Sequence, residues 1–200
     1  MKSKHIFSLL YLCIIAIVLP TLFVSCDDDD DVGIDVPNAV VVASDADEYQ
    51  GFYVDGVYYQ IKSLEESTMV AEQIGQDYKS STPIVVHPYI KLTSKHLPKK
   101  YRKTYMVTTI QQYFCREHAS ILKCNSISIP ETVILLRKES FHNNGSEYKG
   151  HVYFHSLVPP KNDDGIRYGK YAATVHVPKA ALNAYREAWG DKNNYLIGDL

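Results

Sequence analysis

The sequence predicts an α+β domain that is mostly β, and three observations support this fold class. Asp55-Gly56 is flanked by alternating apolar residues from Phe52 to Ile61, which is a strong signal for a β-hairpin. Further short apolar segments are typical of strands, at 68–71, 83–87 and 105–110. One apolar stripe at helical spacing then predicts a helix after Pro178, which Gly190 would end. The stripe consists of Ala181, Leu182, Tyr185 and Trp189.

Residues 1–25 are predicted to be a signal peptide. Lys2 and Lys4 precede an apolar stretch from 6 to 24, which is the order of a charged n-region and an h-region. This stretch is close to the roughly 20 apolar residues that a transmembrane helix needs, so a membrane-spanning anchor is the alternative. Pro20 argues against the anchor, since its ring would kink or break such a helix.

The residues at 23–26, Phe-Val-Ser-Cys, resemble the lipobox of bacterial lipoproteins. In that motif small residues precede a cysteine that receives lipid before the signal peptide is cleaved. The resemblance implies that the mature protein begins at Cys26 and that acyl chains, palmitate among them, tie it to a membrane.

An acidic run follows the cysteine directly and consists of Asp27, Asp28, Asp29, Asp30 and Asp31. A run of like charges repels itself and stays extended and solvated, so packing cannot explain it. The run resembles the acidic export signal that sends lipoproteins of one group of Gram-negative anaerobes to the outer face of the outer membrane. A solvated spacer is the alternative interpretation.

Length and charge divide the remaining chain in two. Of the 200 residues, 27–48 hold nine acidic groups and no basic ones, so 26–48 is predicted to be a lipidated cysteine and a flexible linker. Residues 49–200 form the predicted domain and hold 19 Lys and Arg against 14 Asp and Glu. This excess is too small for a nucleic-acid binder, so no nucleic-acid partner is expected.

Cysteine usage leaves two possibilities open. Cys115 and Cys124 could form a disulfide that closes a short loop, worth about 2–3 kcal/mol on the chain-entropy model. Buried free thiols at core positions are the other possibility. The closely spaced Cys or His partners that structural zinc requires are missing, so neither a metal nor another cofactor is expected.

The segment Ile127-Ser128-Ile129-Pro130-Glu131-Thr132-Val133, followed by Leu136 and Ser140-Phe141, resembles one repeat of the BspA-like leucine-rich-repeat family. The hairpin at 52–61 is similar to the N-terminal hairpin of that family. Residues 174–189 are similar to its closing strand and helix. The resemblance implies a short leucine-rich-repeat solenoid fragment over 49–200, with an N-terminal β-hairpin cap and a C-terminal strand-helix cap.

Motifs for catalysis are missing, because the chain has no nucleophile elbow, H-E-x-x-H pair, P-loop or dinucleotide fingerprint. Missing motifs alone do not exclude an enzyme, but we expect a protein that is not one. His151, Tyr153 and His155 alternate with apolar residues and would share one face of a strand. Together with His142 they could form a metal or acid-base site. Polar residues on the solvent side of a half-buried strand are the other interpretation.

A basic turn between two predicted strands is the second candidate site. It contains Lys99, Lys100, Tyr101 and Arg102, which could bind an acidic glycan or a polyanionic partner through charge and stacking. A solvated loop that joins the strands is the alternative.

Three functions compete on these grounds. The family resemblance implies an outer-membrane, surface-exposed lipoprotein that is a non-catalytic binding or adhesion module for an extracellular protein or glycan. This step rests on analogy at the level of the fold. A structural accessory subunit of an outer-membrane assembly is the second hypothesis. An enzyme built around His151 and His155 is the third.

Overall fold

A computed structural model describes residues 33–36, 51–75, 83–115, 124–143, 146–168, 172–191 and 194–200. The predicted signal peptide, Cys26 and the acidic run lie outside these residues. Residues Val32–Leu200 form one structural unit.

The described strands follow one another along the chain as β1 (Ile34–Val36), β2 (Gly51–Val54), β3 (Val57–Ser63), β4 (Thr68–Ile74), β5 (Ile84–Val85), β6 (Tyr89–Leu92), β7 (Thr104–Ile110), β8 (Ser126–Ile129), β9 (Leu135–Leu136), β10 (His142–Asn143), β11 (Ser146–Glu147), β12 (His151–Phe154), β13 (Lys161–Asn162), β14 (Thr174–Val177) and β15 (Leu196–Gly198). Helical segments are short: 3-10 turns at Lys99–Tyr101 and Lys179–Ala181, and the α-helix α1 (Leu182–Trp189). In the described part of the chain, no helix is both long and apolar enough to cross a bilayer.

Eight strands form a mixed sheet in the order β1-β6-β7-β4-β3-β2, which β9 and β13 extend from β7. Within this sheet, β3 pairs with both β2 and β4 in antiparallel orientation, whereas β4 pairs with β7 in parallel. The hairpin predicted at Asp55-Gly56 is present and joins β2 to β3. The φ angles of these two turn residues are 46° and 82°. Both lie in the left-handed region that the common two-residue hairpin turns favour.

A second sheet contains five strands, all parallel, in the order β15-β14-β12-β8-β5. Alternate residues of its strands are fully or almost fully buried, for example Ile127, Val152 and Val175. These side chains belong to the same hydrophobic cluster as Phe52 and Tyr59 of the mixed sheet. The two sheets therefore share one core.

The expectation of a short solenoid with two caps is wrong. The larger sheet is mixed and contains antiparallel hairpins, and the parallel sheet is separate from it. Residues 127–141 resemble a single repeat, and a repeat needs stacked neighbours of the same kind to bury its apolar edge. Here the long apolar strands β3, β4 and β7 satisfy their backbone groups by pairing with one another instead.

Within the described residues, an α-helix forms at Leu182–Trp189, where the sequence predicts one. Gly190 ends it with a φ of 73°, the left-handed conformation that favours glycine at this position. Tyr185 is fully buried, and its hydroxyl donates to the Ser156 carbonyl at 3.1 Å. The indole Nε1 of Trp189 donates to the Pro160 carbonyl at 3.0 Å. Both aromatic side chains of this predicted stripe thus pack against the core.

Strand β1 lies inside the segment that the sequence predicts to be a flexible linker. It pairs in parallel with β6, with Ile34 opposite Ile90 and Val36 opposite Leu92. Ile34 and Val36 are half-buried against the core. The Asp35 carboxylate accepts a hydrogen bond from the Thr93 hydroxyl. Residues 34–36 are therefore an ordered edge strand.

We expect the hydrogen bond between Thr93 and Asp35 to hold β1 on the domain. Thr93→Val removes the hydroxyl at similar volume, and one hydrogen bond contributes about 1 kcal/mol. Amide hydrogens of β1 should then exchange about fivefold faster while the melting temperature stays nearly constant. Hydrogen-exchange mass spectrometry measures this. Thr132→Val is the matched control and should leave β1 unchanged; equal exchange in all three proteins would contradict the role of Thr93.

Candidate functional site

One face of the parallel sheet packs on the core, and the opposite face carries a row of aligned side chains. Strand register places Val85 beside Ser128, Ser128 beside Tyr153, Tyr153 beside His176, and His176 beside Ile197. Successive residues of a strand point to opposite faces, so this row lies opposite the buried residues such as Val152. We call this row, together with His151 and Asp199, the open face.

Two histidines and a carboxylate form a hydrogen-bonded chain on the open face. Nδ1 of His176 lies 2.9 Å and 3.0 Å from the two carboxylate oxygens of Asp199. Nε2 of His176 lies 2.8 Å from Nδ1 of His151. His176 is 7% exposed, whereas His151 is exposed to solvent. The chain thus runs from a carboxylate through a buried ring to an accessible ring.

Tyr153 stacks on both histidines. Its ring centroid is 4.4 Å from that of His176 with an interplanar angle of 18°, and 6.2 Å from that of His151 with an angle of 20°. Neighbouring strands β12 and β14 hold these residues, and the three rings form one platform. Of the predicted trio, His151 and Tyr153 contribute to it.

The other two predicted histidines lie apart from this platform. Nε2 of His155 lies 2.8 Å from the Ser128 hydroxyl oxygen. His142 lies in β10, which pairs with β11 in a separate two-stranded sheet. Within the described residues, no group of three or more His, Cys, Asp or Glu side chains is arranged to hold a metal ion.

Sequence reasoning missed His176 and Asp199. His176 stands between Val175 and Val177, and this alternation was the one signal that could have placed it on the same face as Tyr153. Asp199 follows β15, and its position opposite His176 depends on the pairing of β14 with β15. Nothing local in the sequence indicates that pairing.

Two side chains of the basic turn at 99–102, Tyr101 and Arg102, hold the turn in place. Tyr101 is 3% exposed and belongs to the core. Nε and a terminal nitrogen of Arg102 donate to the carbonyls of Leu97 and Lys95, each at 2.8 Å. Lys99 and Lys100 are exposed, and Nζ of Lys100 lies 4.8 Å from the centroid of the Tyr101 ring. Of the four predicted ligand-binding residues, Lys99, Lys100 and Arg102 are therefore exposed, and Tyr101 is buried.

We expect Arg102 to stabilise the turn and the two lysines to contribute little. Arg102→Ala removes both bonds to loop carbonyls and should lower the free energy of unfolding by roughly 1 kcal/mol. The double variant Lys99→Ala and Lys100→Ala should stay within about 0.5 kcal/mol of wild type, as exposed substitutions usually do. Urea unfolding measures both. A larger loss in the lysine variant would show that the turn depends on those charges.

Cys115 and Cys124, the two cysteines of the predicted domain, are free thiols, and both are buried. Burial raises the pKa of the Cys115 thiol well above its usual value, and the nearby Cys124 adds to the effect. The Cys124 thiol donates to the Ser126 carbonyl at 3.0 Å. Cys115 is therefore a packing residue with an unreactive thiol.

Comparison with known proteins gives one weak structural similarity. No protein-family model matches the chain, and no curated protein matches its sequence. The chain is similar in structure to a leucine-rich repeat protein from Bacteroides capillosus, with 13% identity and a TM-score of 0.39. The similarity covers 64% of this chain and 97% of the other. This level of similarity identifies neither the family of the chain nor its function.

Proposed function

We propose that the protein is an outer-membrane lipoprotein, anchored through Cys26 and facing the cell exterior, that binds an extracellular protein or glycan without catalysis. The observation that carries the binding function is the ring platform of His151, Tyr153 and His176 on the open face. We also infer that the chain is a short, divergent relative of the BspA-like proteins, because residues 127–141 match one of their repeats.

The open face combines the contacts that recognition surfaces use. Tyrosine is enriched in interfaces because it offers a large apolar ring and a polar tip. The imidazoles beside Tyr153 add donors and acceptors, and Ser126, Ser128 and Thr174 are half-buried around it. At the two ends of the row, Val85 and Ile197 are 42% and 40% exposed. A sugar ring or an extended protein segment would find both stacking and polar partners there.

The N-terminal features support the anchor. Only seven residues lie between Cys26 and the first residue of β1, Ile34, so the tether has eight Cα–Cα steps. A fully extended segment spans at most about 3.5 Å per residue, so this tether reaches roughly 28 Å. A lipid on Cys26 would therefore keep the domain close to the membrane surface.

The polar pairs on the open face support binding over catalysis. The chain from Asp199 through His176 ends on His151, a second ring, rather than on a nucleophile. Ser128 and His155 form a close pair. In a catalytic triad a third group orients the histidine, and among the described residues no carboxylate lies within hydrogen-bond distance of the His155 ring.

The test is an array of glycans and extracellular proteins, probed with the unlipidated chain 27–200. We expect a ligand whose binding weakens at least tenfold in Tyr153→Ala and in His151→Ala. The double variant Lys99→Glu and Lys100→Glu is the control and should bind as wild type does. Binding that weakens only in the lysine variant would show that the ligand binds at the basic turn. If no arrayed molecule binds, the accessory-subunit hypothesis replaces the binding module.

A further inference from the structure

We propose that His151 and His176 form a binding site for a divalent transition-metal ion, with Zn²⁺ and Cu²⁺ as the fitting ions. The site lies on the open face, between Nδ1 of His151 and Nε2 of His176, which are 2.8 Å apart. This inference goes beyond the proposed function, because binding of a glycan or protein to Tyr153 requires no ion.

Asp199 prepares His176 as a ligand. The Nδ1–H group of His176 donates to the Asp199 carboxylate, and a neutral imidazole has one N–H and one lone pair. The lone pair of His176 must therefore lie on Nε2, the nitrogen that faces His151. Metal-binding histidines commonly donate their other N–H to a carboxylate in this way, which fixes the tautomer and makes the ligand nitrogen more basic.

The space between the two rings fits an ion after a small movement. Two nitrogens bound to a tetrahedral Zn²⁺, each at 2.0–2.1 Å, lie about 3.3 Å apart. The observed separation is 2.8 Å, so the rings must part by about half an ångström. His151 is exposed and can supply that movement. When the ion binds, the proton on Nδ1 of His151 moves to Nε2 of the same ring. Two neutral rings therefore bind the ion without net release of a proton.

The surroundings favour a cation and hold the rings in place. The Asp199 carboxylate puts a negative charge next to the site, and its side chain is 46% exposed. Tyr153 stacks closely on the His176 ring, with centroids 4.4 Å apart, and holds it in place, whereas the His151 centroid is 6.2 Å away. The register of β12 with β14 fixes the spacing, with Tyr153 opposite His176. Two imidazoles select borderline ions such as Cu²⁺ and Zn²⁺ over Mg²⁺ and Ca²⁺, which prefer oxygen ligands.

Two protein ligands leave the remaining coordination positions to water. This agrees with the finding that no described group of three or more ligands is arranged around one point. The ion is therefore expected to exchange, and its open positions face solvent on the side of His151.

The test uses the membrane-anchored protein, purified in detergent without a polyhistidine tag and stripped with a chelator. Cu²⁺ alone is the first probe, and electron paramagnetic resonance counts the nitrogen atoms bound to it. We expect one Cu²⁺ bound per chain at equilibrium, with two imidazole nitrogens. Zn²⁺ should compete for the same site and Mg²⁺ should not. Carboxylates of the acidic run provide no nitrogen, so the spectrum separates them from this site.

Variants assign the site to its residues. His151→Ala should weaken Cu²⁺ binding at least tenfold, and this exposed position carries little risk of misfolding. Asp199→Asn keeps the shape of the side chain and should weaken binding about 10–100-fold, as loss of a partner behind a metal ligand typically does. His155→Ala is the matched control on the same chain segment and should bind as wild type does. Three results would each overturn the proposal: no Cu²⁺ bound at equilibrium, a spectrum without two nitrogens, or equal weakening by His151→Ala and His155→Ala.

Discussion

Replacing Ile129 with aspartate should unfold the domain. Ile129 is fully buried in β8, which pairs with β12 in the parallel sheet. A carboxylate at that position would lose its hydration without gaining a partner, and burial of an unpaired charge is among the most destabilising changes known. We expect a loss of at least about 4 kcal/mol, which is most of the stability of a typical domain. Thermal melting followed by circular dichroism measures the effect.

Ile134→Asp is the matched control for this experiment. It makes the same chemical change five positions later, but the Ile134 side chain is 65% exposed. Its free energy of unfolding should stay within about 0.5 kcal/mol of wild type. Val133→Asp, at a position that is 1% exposed, should behave like Ile129→Asp. Near-normal melting of either buried variant would show that β8 and the turn after it lie outside the stabilising core.

Local signals in the sequence predicted the features that depend on a few consecutive residues. The Asp55-Gly56 turn and the helix between Pro178 and Gly190 are examples, because backbone preferences at those residues are strong enough to act alone. Strand periodicity likewise placed His151 and Tyr153 on one face. These parts of the fold follow from chemistry within about ten residues.

The sheet order could not be predicted in the same way. Paired residues of β4 and β7 are 38 or 39 positions apart in the sequence, and those of β1 and β6 are 56 positions apart. No turn residue or capping residue specifies such a partner, and the choice depends on how all apolar faces are buried together. This is why an isolated match to one repeat led to the wrong expectation of a solenoid.

The candidate site shows the same limit. His176 lies 25 residues after His151, and Asp199 lies 23 residues after His176. They meet because β12, β14 and β15 are consecutive neighbours in a parallel sheet. Alternation identifies the face on which a residue lies, whereas only the order of strands identifies its neighbours.

Cys26→Ser should abolish the acylation that the proposed function requires. The lipid is expected to be attached through a thioether, and serine has no thiol to form one. The variant should therefore leave the membrane fraction as a soluble protein or remain as the uncleaved precursor. Metabolic labelling with a tagged fatty acid, followed by membrane fractionation, measures both outcomes. Labelling of the serine variant would place the lipid elsewhere.

Replacing the five aspartates at 27–31 with alanine should change which side of the outer membrane the protein faces and leave its lipid intact. The variant should still be labelled and should stay with the membranes, because each methylene of an acyl chain contributes about 0.8 kcal/mol on burial. Since the run resembles an export signal, we expect the variant to remain on the periplasmic side. A protease added to intact cells measures the difference.

Wild-type protein should then be digested and the alanine variant protected. The tether between Cys26 and β1 has the same length in both proteins, so a difference in digestion reports location rather than reach. Equal digestion of both would show that the aspartates are a spacer, and the surface assignment would lose its main support in the sequence. Protection of both would place the protein in the periplasm, where a structural accessory of a membrane assembly is the better explanation.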